Sequence, residues 1–124
     1  MTAFDLIFAI GDVHGRSDLL KKMDNRIAGE VKSIPHNEAG SFLIGDYVDR
    51  GQDSKGVLDM ICDGYKIGGL PTEYILGNHD MWLGSALAKF KRNDNGYKEW
   101  FRHSYILETL RSYGVSIDSV KKLA

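Results

Sequence analysis

Three times along this chain a short apolar run stops at a glycine followed by aspartate or asparagine and leads into a stretch with helical periodicity. The runs are residues 5–10, ending at Gly11-Asp12; residues 41–44, ending at Gly45-Asp46; and residues 72–76, ending at Gly77-Asn78. After the first, Leu19, Leu20, Met23, Ile27 and Val31 recur at helical steps, with Ser17 or Asp18 as the cap. After the second, Val57, Leu58, Ile61 and Tyr65 do the same behind Asp53 or Ser54. A third helix is predicted from Met81 to Arg92, with Leu83, Leu87 and Phe90 on one face. Strands alternating with helices impose βαβ units and a parallel sheet with right-handed crossovers. The predicted fold class is therefore α/β, in the order βαβαβα, with a mainly parallel sheet. The first run is apolar from Leu6 to Ile10 and reads as a strand buried on both faces. All three glycine turns then emerge at the carboxyl edge of the sheet, each at a helix N-terminus that favours an anion such as phosphate. Beyond Gly96, the residues Tyr97, Trp100, Phe101, Tyr105, Ile106, Leu110 and Tyr113 predict one or two further helices ending near Gly114. The last ten residues show no clear element.

At 124 residues, 43% hydrophobic and 27% charged, the chain is expected to form a single domain over residues 1–124. Its 16 basic and 17 acidic residues leave no global field to attract nucleic acid or anionic lipid. No run approaches the roughly 18 apolar residues of a membrane span, and the first residues lack the features of a secretory signal. The expected location is the cytoplasm, with neither nucleic acid nor membrane as partner. The single cysteine, Cys62, excludes an internal disulfide and a cysteine-based zinc site. Its position behind Val57, Leu58 and Ile61 predicts a buried thiol.

The glycine turns carry the chemistry. In Gly11-Asp12-Val13-His14-Gly15 a carboxylate and an imidazole stand two positions apart, a mixed ligand set suited to Mn, Fe, Zn, Ni or Co. The second turn adds Asp46, Asp49 and Arg50 between Gly45 and Gly51, and the third reads Gly77-Asn78-His79-Asp80. Each has an ordinary reading by itself: Asp12 caps a helix, His14 is a surface loop residue, and Gly, Asp and Asn are common where strand meets helix. Together they do not, because the ordered patterns fix about eleven positions, a coincidence on the order of 10^-14 per alignment at about 1 in 20 per position.

The words GDVHG, GDYVDRG and GNHD resemble the three signature blocks of the calcineurin-like metallophosphoesterases, and within them the phosphoprotein phosphatase branch. The stretch GDYVDRGQDSKGVL is similar to bacterial serine/threonine protein phosphatases. The related symmetric dinucleoside tetraphosphatases share GNHD but usually lack the second acid of the middle block, so Asp49 favours the protein-phosphatase branch. The resemblance is strong from Phe8 to His79 and weaker to Gly114. It implies the first half of a four-layer αββα fold and two divalent metal ions, Mn first, with Fe, Zn or Ni as alternatives. Asp12 and His14 would hold one metal, Asp46 would bridge the two, and Asn78 would bind the second. Arg50 would hold the phosphate oxygens, and His79 would be the general acid, oriented by Asp49. The implied activity is hydrolysis of phosphomonoesters, as in serine/threonine protein phosphatases, by a metal-activated hydroxide with no covalent intermediate. The substrate would be a phosphorylated protein or a small phosphoester. Two alternatives stand beside it: a symmetric dinucleoside tetraphosphatase-like hydrolase, and a non-catalytic metal- or phosphate-binding fragment or interaction module.

Family members take two further histidines for the second metal, and another arginine for phosphate, from the carboxyl half of the domain. After His79 this chain has only His103, expected to be a packed or surface helix residue, and Tyr105-Ile106 stands where a Gly-Gly is usual. His36, in a polar loop, is expected to be solvated. The domain is accordingly expected to be an incomplete, amino-terminal half, and one bound metal is the alternative to two. An uncovered apolar sheet face would follow, to be covered by a second copy or a partner chain.

Overall fold

The computed structural model describes residues 3–123. The three apolar runs form strands β1 (Leu6–Ile10), β2 (Ala39–Leu43) and β3 (Thr72–Tyr74), hydrogen-bonded in that order and all parallel. Leu6 lies opposite Ala39, and Ser41 opposite Thr72. Helix α1 (Ser17–Ser33) joins β1 to β2, and α2 (Ser54–Cys62) joins β2 to β3 through a 3-10 turn at Ile67–Gly69. Helix α3 (Asn78–Lys91) follows β3. This is the α/β arrangement, with a parallel sheet and interleaved helices, that the periodicity predicts, and it is consistent with the half-fold that the motif resemblance implies.

The core lies between the sheet and its helices. Leu20 and Ile27 of α1, Val57 of α2 and Leu43 of β2 are buried with Val13, Tyr47, Val48, Ile67 and Leu70, and Leu6, Phe8 and Ile10 pack against them. Each such side chain contributes roughly 1.5–3 kcal/mol when fully buried. A second, smaller cluster gathers Ala86 of α3 with Trp100 and Ile106. It rests on two 3-10 segments, Asn95–Arg102 and Ser104–Ile106, followed by a short helix α4 (Leu107–Ser112). A left-handed Gly114, φ 78°, follows α4.

Three expectations are corrected. Strand β1 is not buried on both faces: it lies at the sheet edge, and Ile7 is 55% exposed on the side opposite Leu6 and Phe8. The amide of Ile44 donates to the Ile10 carbonyl and that of Ile75 to the Leu43 carbonyl, which extends the ladder and puts both isoleucines on the same open face. Cys62 is exposed because it is the last residue of α2, one position past the side that Ile61 packs inward. The final segment holds a helix, α5 (Ile117–Leu123), whose start is capped by the Ser116 hydroxyl accepting the Ser119 N–H at 3.2 Å.

Candidate functional site

The parallel order β1-β2-β3 brings the three glycine turns to one edge, where they are bonded to one another. The N–H of His14 donates to the Asp46 carbonyl and that of Gly15 to the Tyr47 carbonyl, both at 2.8 Å. Backbone meets backbone at two glycines. A Cβ on Gly45 (φ 97°) would lie 2.3 Å from the Gly77 nitrogen, and one on Gly51 would lie 2.0 Å from the His14 oxygen. No other residue fits there, so the motif glycines are what let the turns converge.

A further anchor is Asp80, to which sequence reasoning assigned no role. Its carboxylate accepts the N–H groups of Asp46 and Tyr47 at 2.8 Å and of Gly77 at 2.9 Å, tying the second turn to the first turn of α3. An acid at the third helical position is the available sequence signal, because such a residue reaches back to the cap. The turns are also strained. Asp12, His14, Asp46, Asp49 and Arg50 all have positive φ, a left-handed conformation that costs of order 1–3 kcal/mol at each non-glycine residue and clusters at functional sites.

Within this frame His14, Asp46 and His79 each offer a ligand atom, all within 4.8 Å of one another. The His14 Nε2 stands 3.9 Å from an Asp46 carboxylate oxygen, wider than the roughly 3.3 Å between two tetrahedral ligands of one ion, so a small closing movement would bring both onto it. His14 Nδ1 lies 2.7 Å from the Val48 carbonyl, so it carries the proton there and leaves Nε2 with a free lone pair. A mixed nitrogen and oxygen set with its imidazole so oriented fits a divalent transition ion.

His79 is 4% exposed, and its Nδ1 lies 2.8 Å from Asp49 Oδ2, leaving Nε2 free. Asp49 is wholly buried. Its other oxygen accepts the Thr109 hydroxyl at 2.7 Å, and its N–H donates to the same hydroxyl at 2.8 Å. Thr109, at the centre of α4, is thus a second positioning residue that the sequence did not disclose. Around His79 stand the rings of His14, Trp82 and Tyr105, with centroids 4.9, 5.0 and 5.0 Å away.

Of the residues singled out in the sequence, His14, Asp46, Asp49 and His79 are brought together by direct contacts, and the others are exposed. Asp12 is exposed and lies outside the three-residue group. Asn78, also exposed, opens α3 beside His79. Arg50 is exposed in a polar cleft with Arg16, Asp18, Gln52 and Asp53, and its N–H donates to the Tyr105 carbonyl at 2.9 Å. His36 is exposed, and so is His103, which stacks on Tyr105 at 5.1 Å.

Among known proteins, the symmetrical bis(5'-nucleosyl)-tetraphosphatase of Proteus mirabilis (strain HI4320) is 36% identical over 86 residues. That stretch covers 69% of this chain and 28% of the relative, so the chain spans well under a third of the relative's length. No solved structure matches the chain. The model of the family described as calcineurin-like phosphoesterase matches residues 6–123, a span that takes in the sheet, its helices and all three turns. By that match the chain belongs to the calcineurin-like phosphoesterases.

Proposed function

We propose that the chain carries the catalytic edge of a divalent-metal-dependent phosphoesterase that hydrolyses phosphomonoesters in the manner of serine/threonine protein phosphatases. The observation that carries this reading is the buried Asp49–His79 pair set against the ligand atoms of His14 and Asp46. His14 and Asp46 would hold the ion, with Asp12 and Asn78 as further ligands from the neighbouring turns. When bound there, such an ion would supply Lewis acidity for phosphoester hydrolysis. His79, fixed through Nδ1 by Asp49, presents Nε2 to the leaving-group oxygen and delivers a proton to it as the P–O bond breaks. Asp49 orients the ring and selects its tautomer, and Thr109 in turn holds Asp49. Arg50, at the end of the same turn, supplies a planar cation for bidentate contact with phosphate.

A second reading, hydrolysis of a dinucleoside polyphosphate, is favoured by the identity with the tetraphosphatase relative. Both readings share the residues above and differ in the leaving group. The test is phosphate release, with Mn present, from a phosphoserine peptide and from diadenosine tetraphosphate. Preference for the peptide supports the first reading, and preference for the dinucleotide the second. In either case His79→Asn should lower turnover by about 10^2- to 10^4-fold, the range of general acid catalysis, and undiminished turnover in that variant would overturn the proposed role.

A further inference from the structure

Beside His79 lies a cavity of about 310 Å³ between α3 and the 3-10 segment Asn95–Arg102. Trp82 and Tyr105, the rings in contact with His79, both line it, and His103 stacks on Tyr105 with 14° between the ring planes. Trp100, 7% exposed, also lines the cavity, and its buried Nε1–H has no acceptor among the described residues. A buried indole N–H usually finds a partner, so one left unmet points to an acceptor brought by a ligand. The other groups on the wall narrow what that ligand can be. A cationic side chain, which aromatic rings also attract, would meet Lys89 and a second N–H donor there, and Glu99 is already engaged by Arg102 at 3.0 Å. A plain phenyl ring would stack but would bring no acceptor.

We propose that this cavity is a specificity subsite for the residue that follows the phosphoserine of a peptide substrate, and that the residue it takes is proline. The inference rests on the reading in which the leaving group is a phosphoserine whose oxygen receives the His79 proton. The peptide must then run past the rings around His79, whose centroids stand 5.0 Å from the imidazole, a distance comparable with the roughly 3.8 Å between neighbouring Cα atoms. An ordinary peptide bond brings a donor together with its acceptor, and a donor entering beside Trp100 and Lys89 would be left unmatched. The bond before proline is the exception, because it keeps its carbonyl and has no N–H. The phosphoserine carbonyl would accept the Trp100 Nε1–H while the pyrrolidine ring lies against Trp82 and Tyr105. Aromatic-lined grooves are a recurring seat for proline segments, whose backbone is already extended and loses little freedom on binding. A proline before the phosphoserine would take its carbonyl from two residues upstream, so the order is serine, then proline. The Arg50 N–H bond to the Tyr105 carbonyl fastens this wall to the turn proposed to hold phosphate.

The test uses two short phosphoserine peptides that differ only in proline or alanine after the phosphoserine, with Mn present. The proline peptide should release phosphate with a kcat/KM about tenfold higher. Trp100→Phe keeps a ring but removes the N–H, and should bring that ratio to within about twofold of one. Trp82→Ala, at a side chain 46% exposed, removes one wall and should lower the ratio by at least about threefold. Each ratio is taken within one protein sample, so a variant that is partly unfolded or slower in chemistry still reports. Binding is read apart from hydrolysis, because the chain's two tryptophans, Trp82 and Trp100, both line the cavity. The unphosphorylated serine-proline peptide should quench their fluorescence saturably below about 10 mM, and the serine-alanine peptide should not. A ratio near one in the parent, a ratio that survives Trp100→Phe, or equal quenching by the two peptides would overturn the proline subsite and leave the phosphatase reading standing. Quenching that depends on proline, without phosphate release from either phosphopeptide, would overturn the phosphatase reading and leave the ring site standing. Neither release nor quenching would overturn both.

Discussion

Asp49 has every polar atom of its carboxylate engaged, one oxygen by His79 and the other by Thr109, and it is wholly buried. Burial at that level makes the partners consequential, because a buried donor left unmatched costs about 1–3 kcal/mol. Thr109→Val removes the hydroxyl that both accepts the Asp49 N–H and donates to its carboxylate. It should therefore destabilise the fold by roughly 2 kcal/mol in urea unfolding, whereas Thr109→Ser should stay within about 1 kcal/mol of the parent. Equal stability of the two variants would show that the hydroxyl carries nothing. The contrast between these residues also shows what a sequence discloses. Asp49 and His79 were legible because each sits in a short pattern at a strand end. Thr109 lies 60 positions from Asp49, and a lone threonine in a helix carries no local mark of the carboxylate it will meet. Asp80 falls between, since its place in the first helical turn is a signal for capping but not for organising a separate loop.

At the scale of elements, the strands and first three helices were legible from periodicity, while their surroundings were not. An apolar run does not distinguish a strand covered on both faces from one covered on one face, and β1 is the second kind. The joints between elements depend on close approach, most tightly where Gly51 meets His14. Gly51→Ala places a methyl group 2.0 Å from the His14 oxygen, so the turns must separate. Destabilisation of at least about 2 kcal/mol is expected, with weakened Mn binding, and a variant of parental stability would contradict the close packing. Helix α1 is joined to the segment after α2 by the Tyr65 hydroxyl, which donates to Asp24 at 2.5 Å. That bond, reinforced by burial and by the Asp24 charge, pushes the phenol from 10.0 up to about 12. The folded chain therefore keeps a proton that the unfolded chain loses between these values, so the contribution is present below pH 10 and fades as pH rises to about 12. Unfolding free energies across that window should fall with pH, and Tyr65→Phe should flatten part of the slope; an identical slope in the variant would count against the bond.

For the molecule as a whole, one face of the sheet carries Ile7, Ile44 and Ile75, each more than half exposed. If it is open in the chain as it stands, Ile44→Lys combined with Ile75→Lys should change stability by no more than about 1 kcal/mol. A loss of about 3 kcal/mol or more would mean that the face is packed against something. The site tests the fold and the proposed function together, since His14 and Asp46, proposed to hold the ion, and His79, proposed to give the proton, come from three separate strand ends and meet only in the folded chain. The most direct measurement is Mn titration of the parent chain, Asp46→Asn and His79→Asn by calorimetry, with circular dichroism confirming that each is folded. The account predicts binding in the parent, at least about tenfold weaker binding in Asp46→Asn, and binding within about threefold of the parent in His79→Asn, because His79 is assigned to the proton and not to the ion. Unaltered Mn affinity in Asp46→Asn, or its loss in His79→Asn, would contradict that division of roles.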